Sequence, residues 1–273
     1  MISARTLREL YRELTPRQDG RPLVVGGARA LAPLLRRELG VEGGDDPRGA
    51  SVYVHVWAGD GSDEAQLKRA RRARVPIVAL APEEVESLPW VLATAVVRSR
   101  PGESFPVGGL ARAIARRLGE DAAPLAAQVP ALRRAVAEQV VERTARRNGL
   151  VAAAVFVPGV DMPILLRNEL RMLTRLEQIY GRQLAPGSRL PELVGTFAVG
   201  FGLRTAAREL LDLVPGGAEG DSGVPAGRRR LGRRRSRHAA GWAVKGGVAY
   251  AGTRALGQAA LRRLEGVSGQ RGR

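Results

Sequence analysis

Cysteine is absent from this 273-residue chain, and histidine occurs only twice, at His55 and His238. Without cysteine there is no disulfide framework and no thiolate metal site, which fits a reducing compartment. Two histidines far apart leave little material for a histidine metal cluster or a Ser-His-Asp triad. Aromatic residues make up 4% of the chain, so base-stacking surface is scarce. Acidic residues are also short: 27 Asp and Glu stand against 44 Lys and Arg, a formal net charge of +17. None occurs between Asp221 and Glu265. Such an excess favours an anionic partner, whether nucleic acid, an anionic lipid face or an acidic protein. A clean spanning run of about 17–25 apolar residues is missing too. Asp161 and two prolines break 149–166, Arg204 ends 193–203, and Lys245 and Arg254 interrupt the last apolar stretch. The opening MISARTLRELYRELTPRQDG has no apolar core of signal-peptide type. Its Leu7, Leu10 and Leu14 share one face of a short amphipathic helix.

What is present begins with alternation. LVVGG at 23–27 is a β-branched run ending in glycine, and ARALAPLLRRELG at 28–40 reads as a helix with Leu31, Leu34, Leu35 and Leu39 inward. SVYVHVWAG at 51–59 places valines on alternate positions, the mark of a strand. SDEAQLKRARRAR at 62–74 reads as a helix with Ser62 as N-cap and acidic residues in its first turn. VPIVALAP at 75–82 and WVLATAVVR at 90–98 supply a third and a fourth strand, and GGLARAIARRLG at 108–119 a closing helix. Strands alternating with helices imply a doubly wound, mostly parallel sheet.

Composition shifts after Gly119 to alanine, glycine and arginine. Helices are expected at 131–147, 167–181, 193–214 and 239–264. On the second, Leu166, Leu170, Leu173, Leu176 and Tyr180 form the apolar stripe. Ala198, Gly202 and Ala206 recur at i, i+4, i+8, as do Gly247, Ala251, Ala255 and Ala259. Each series makes a smooth ridge on which helices can approach closely, within the chain or in a homo-oligomer. The expected organisation is an α/β domain over 1–119 and an all-α, Gly/Ala-rich domain over 120–273, with a disordered basic insertion at 216–238.

Three blocks in the second half, VPGVDMPILLRNELRMLTRLEQIYGR, LVGTFAVGFGLRTAARELLDLVPG and GWAVKGGVAYAGTRALGQAA, occur in that order. Over about residues 131–264 the chain resembles a YcjF-like bacterial domain of unknown function often found C-terminal to small GTPase domains. The resemblance implies a helical, often membrane-associated domain with a link to GTPase biology, and it brings no catalytic residues. The family usually passes almost directly from the second block to the third, so the stretch from about Gly217 to Ala240 is an insertion in this chain.

That resemblance makes a P-loop GTPase fold the natural expectation for the first domain. A P-loop needs GxxxxGK[ST] after the first strand, so that backbone amides cradle the phosphates, lysine neutralises them and a hydroxyl holds Mg²⁺. Counting from Gly26 puts Leu31, Ala32 and Pro33 at the second glycine, lysine and hydroxyl positions; counting from Gly27 puts Ala32, Pro33 and Leu34 there. Where Asn-Lys-x-Asp would read guanine, the chain has Ala81, Pro82, Glu83 and Glu84. Asp60-Gly61 is the nearest remnant of Asp-x-x-Gly. The expectation is a degenerate GTPase-like domain with no catalytic residue, no cofactor and no metal.

Other candidates have ordinary explanations. His55 shares a strand face with Tyr53 and Trp57, and no carboxylate stands close to it in sequence, so it reads as a structural histidine. Asp60 and Asp63 follow a strand end, where α/β sites sit, but a helix cap and dipole partner is the plainer role. Asp161 lies in Pro-Gly-Val-Asp-Met-Pro, a turn between helices, where aspartate caps. Lys245 either snorkels or pairs with Asp161 or Glu209.

Arg228, Arg229, Arg230, Arg233, Arg234, Arg235 and Arg237 form a polybasic arm. Near an anionic leaflet each is worth about 1 kcal/mol. The overall expectation is a non-catalytic adaptor or regulator at the cytoplasmic face of the membrane, working with a protein partner such as a GTPase. The alternative is a soluble cytoplasmic protein that holds nucleic acid non-specifically through the arm.

Overall fold

The computed structural model describes residues 20–100, 102–154, 162–181 and 230–270. They divide into two units. The first takes the described residues up to 140 with 175–181, and the second those among 141–174 and from 230 onward. The expected N-terminal helix, the helix at 193–214 and the linker at 216–227 lie outside the described residues.

In the first unit four strands pair in parallel, in the order β1 (Leu23–Gly27), β2 (Val52–Val56), β3 (Ile77–Pro82) and β4 (Val96–Ser99). Register sets Val24 beside Tyr53, Tyr53 beside Ile77, and Ala79 beside both His55 and Val96. β2 is buried along its whole length, as a strand covered on both faces must be. One face, with Val24, Tyr53, Ile77 and Ala79, forms a single core with Leu67 and Ala70 of α2 (Ser62–Arg72). The other face meets α3 (Val107–Leu118), where a Cβ on Gly109 would stand 3.2 Å from Val97 Cγ1. Helices therefore lie on both sides of a parallel sheet, as alternation implied. The fourth strand is shorter than expected, because a 3-10 turn at Ala93–Ala95 replaces its first half.

The inner face of α1 (Leu31–Leu39) differs from the leucine pattern. Ala32, Leu35 and Leu39 are buried, whereas Leu31 is 44% exposed and Leu34 51%. At 3.6 residues per turn the buried three span a narrow arc, with Leu34 more than a quarter turn from its centre. Ser62 also departs from expectation. It is the first helical residue of α2, and the cap position falls on Gly61, with no side-chain cap bond.

α4 (Ala122–Gln128) and a 3-10 turn at Pro130–Leu132 lead into α5 (Arg133–Ala154). Arg133 closes α4 by donating to the Ala127 carbonyl at 3.1 Å. α5 runs past its expected end, straight through Gly149.

In the second unit, α5 and α7 (Arg230–Gln270) run antiparallel. Val141 meets Gly257 and Gly149 meets Gly246. A Cβ on Gly246 would lie 2.9 Å from the Gly149 carbonyl oxygen, and one on Gly257 2.5 Å from Val141 Cγ1. These glycines set the distance between the helices. α6 (Met162–Ile179) buries Leu165, Asn168, Glu169, Met172, Leu173, Leu176 and Ile179. The expected stripe is thus rotated: Leu166, Leu170 and Tyr180 are only half-buried, and two polar residues join the inner face.

Candidate functional site

The carboxyl end of β2 is where an open α/β sheet offers room for a ligand. Here that room is filled by the protein itself. His55 and Asp63 are both buried, with His55 Nε2 2.8 Å from Asp63 Oδ1. The same carboxylate accepts the Ala58 amide at 2.9 Å and the Gly59 amide at 2.8 Å. A carboxylate oxygen accepts, so the imidazole proton sits on Nε2. Nδ1 is buried without a hydrogen-bond partner among the described residues. Burial pushes the His55 pKa below its ordinary value, against the opposing pull of Asp63.

Asp63 can reach back because it lies in the first turn of α2, just after the loop that leaves β2. Its partnership with His55 corrects two expectations: a carboxylate does stand beside the histidine, and Asp63 binds the strand end rather than capping its own helix. The spacing of eight residues, from strand end through a glycine-rich turn to the first helical turn, was the available signal. Asp60 does hold the helix start. It accepts from the Ser62 amide at 3.1 Å and from Ser62 Oγ at 2.7 Å, bonds that hold its carboxyl below the usual range.

The glycines ending β1 serve packing. A Cβ on Gly26 would stand 2.4 Å from the Tyr53 hydroxyl, and Gly27, at φ +108°, would put one 2.0 Å from the Val56 carbonyl oxygen. That carbonyl accepts the Ala28 amide at 2.8 Å. The Tyr53 hydroxyl donates to Gln66 Oε1 at 3.1 Å, and burial pushes its pKa up.

The second unit has a buried polar cluster that sequence reading missed. Asn148, Asn168, Glu169 and Thr253 come from three helices. Asn168 Nδ2 donates to Asn148 Oδ1 at 2.8 Å, Asn148 Nδ2 to Thr253 Oγ1 at 3.0 Å, and Thr253 Oγ1 to Glu169 Oε1 at 3.0 Å. Beside it the Tyr250 hydroxyl donates to Glu142, 3.0 Å from Oε2. Arg146, 2.7 Å from Glu142 Oε1, and then Tyr250 hold the Glu142 carboxyl below its usual range. The available signals were Asn148 before an alanine-rich run and Thr253 after the small pair Ala251-Gly252.

The family match fits this helical half. The model of the Domain of unknown function (DUF697) matches residues 116–271, more than half of the chain. The chain belongs to the DUF697 family. No curated protein and no solved structure matches it.

Within the DUF697 domain, Arg230, Arg233, Arg234, Arg235 and Arg237 lie along the α7 backbone, and Arg228 and Arg229 lie outside the described residues. Gly247, Ala251, Ala255 and Ala259 are exposed; the close α5–α7 contacts are made instead by Gly246 and Gly257. Ala198, Gly202, Ala206, Asp161 and Glu209 lie outside the described residues. No described helix is long and apolar enough to cross a membrane. Among the described residues, no group of three or more His, Asp and Glu could hold a metal ion.

Proposed function

We propose that this DUF697 protein is a non-catalytic adaptor or regulator at the cytoplasmic face of the membrane, serving alongside a GTPase, with a degenerate GTPase-like first domain. The observation that carries the reading is the Asp63 carboxylate. It takes up the Ala58 and Gly59 amides at the end of β2, two donors that would otherwise stand open to an anion at that strand end. Two further features support it. Gly26 and Gly27 are committed to Tyr53 and Val56. The strand order follows the chain without the reversal expected of a doubly wound sheet, so the described sheet has no switch point to open a crevice; this supports the non-catalytic part of the reading and not its GTPase-like part.

The membrane part of the proposal rests on the seven arginines of the polybasic arm, each worth about 1 kcal/mol near an anionic leaflet. Flotation of the full chain with phosphatidylcholine vesicles, with and without phosphatidylserine, tests it. The protein floats only with the anionic vesicles and is released by high salt. A chain that stays down with both, and that retains nucleic acid through purification, contradicts the membrane reading in favour of nucleic-acid binding.

A further inference from the structure

We propose that the first unit carries a binding site for a phosphate-bearing anion on the outer face of α2, taking a phosphate or pyrophosphate group either free or as a lipid headgroup. An open hollow of about 570 Å³ is lined, among the described residues, by Arg48, Ala65, Lys68, Arg69, Arg72 and Ala73. Four α2 residues and Ala73, which caps the helix, recur at i, i+3, i+4, i+7 and i+8, one continuous face opposite the buried Leu67 and Ala70. Two are alanines, so the cationic side chains rim the hollow without filling it.

No carboxylate belongs to that described lining. Among the described residues, Lys68, Arg69 and Arg72 make no side-chain hydrogen bond or ion pair. Arg48 meets Asp46 only at 3.8 Å, with both side chains largely exposed. Three arginines elsewhere in the unit are anchored: Arg36 on the Gly43 carbonyl at 2.6 Å, Arg98 on the Pro82 carbonyl at 3.0 Å, Arg100 beside Glu83 at 3.2 Å. Four cations around one hollow repel one another, and Lys68 and Arg72 at i, i+4 do so along the helix itself. A bound anion supplies the missing countercharge. Guanidinium forks and a lysine point charge match the oxygens of a phosphate group.

The site is separate from the polybasic arm, so its test is independent of the membrane reading. Inorganic pyrophosphate is titrated calorimetrically into the full chain. Binding is saturable, weakens about tenfold in Arg69→Ala and further when Arg72→Ala is added. It is unchanged in Arg37→Ala, which removes an exposed charge on α1, and in Arg233→Gln/Arg234→Gln on the arm. With the seven arm arginines replaced by glutamine, so that the arm cannot hold the vesicle, phosphatidylcholine vesicles with phosphatidic acid identify the source: vesicle binding that Arg69→Ala/Arg72→Ala abolishes marks a lipid headgroup, and no vesicle binding beside groove-dependent pyrophosphate binding marks a free ligand. Absence of saturable pyrophosphate binding overturns the proposal. So does binding that Arg69→Glu/Arg72→Glu leaves intact, or an equal loss in Arg37→Ala.

Discussion

The two units bury polar groups on opposite plans. In the first, one carboxylate serves two backbone amides and an imidazole that all lie within eight residues of it in sequence. In the second, four side chains from three helices satisfy one another across separations of 20, 84 and 105 residues. The local cluster pins a loop and consumes the polar groups at the carboxyl end of β2. The distributed cluster pins the register of helices whose small residues would otherwise let them slide. Four substitutions or titrations break or sharpen that contrast.

The largest effect belongs to Asp63→Ala. It strands the buried His55 imidazole and two part-buried amides at once, so urea denaturation followed by tryptophan fluorescence should show a loss of roughly 3 kcal/mol. Trp57 and Trp90 pack on the affected core, and replacing Trp242 of α7 by phenylalanine in both the parent and the variant makes the signal report that unit. A loss under about 1 kcal/mol would mean that the loop is held by something else.

Thr253→Val comes next. It keeps the volume but removes the hydroxyl that donates to Glu169 and accepts from Asn148, at a cost of about 2 kcal/mol. Hydrogen exchange should quicken in α5 and α6 while the strands stay protected. Uniform quickening across both units would contradict two separately built cores.

Gly257→Ala is smaller. Alanine favours a helix by about 1 kcal/mol over glycine, but its methyl group meets the β-branched Val141. Overpacking costs about 1–3 kcal/mol, so a modest fall in melting temperature is expected. Gly247→Ala, on the exposed ridge, should keep the propensity gain and raise the melting temperature.

The smallest effect is a pH dependence confined to the first unit. The folded His55 pKa lies below its ordinary value of 6.5, so the unfolded chain takes up the proton first as pH falls. Stability is complete above that value and declines below it, towards the folded pKa, by at most about 1.4 kcal/mol per pH unit. His55→Gln should flatten this part of the profile, read as the denaturation midpoint at successive pH values.

The contrast also explains what the sequence made legible. β1, β2 and β3 could be read because each is a β-branched run buried on both faces, a local pattern. Leucine identity points to too broad a face for α1, because helical angle decides burial, and Leu31 and Leu34 are exposed. The His55–Asp63 pair lay within reach of sequence reading, since only a turn separates its members. The Asn148, Asn168, Glu169 and Thr253 cluster was beyond it. Each member looks like an ordinary polar residue until three distant helices bring the partners together. Gly246 and Gly257 teach the same point, for the glycine-rich register that matters is the one facing α5, and only the partner helix selects it.

The proposal that the first unit performs no nucleotide chemistry rests on the missing lysine and hydroxyl after β1 and on the Ala58 and Gly59 amides being taken up by Asp63. The most direct test is Mg²⁺-dependent phosphate release from GTP across a gel-filtration profile of the full chain. The account predicts no release that follows the protein peak. Turnover that coincides with that peak and persists on repeated chromatography would contradict it.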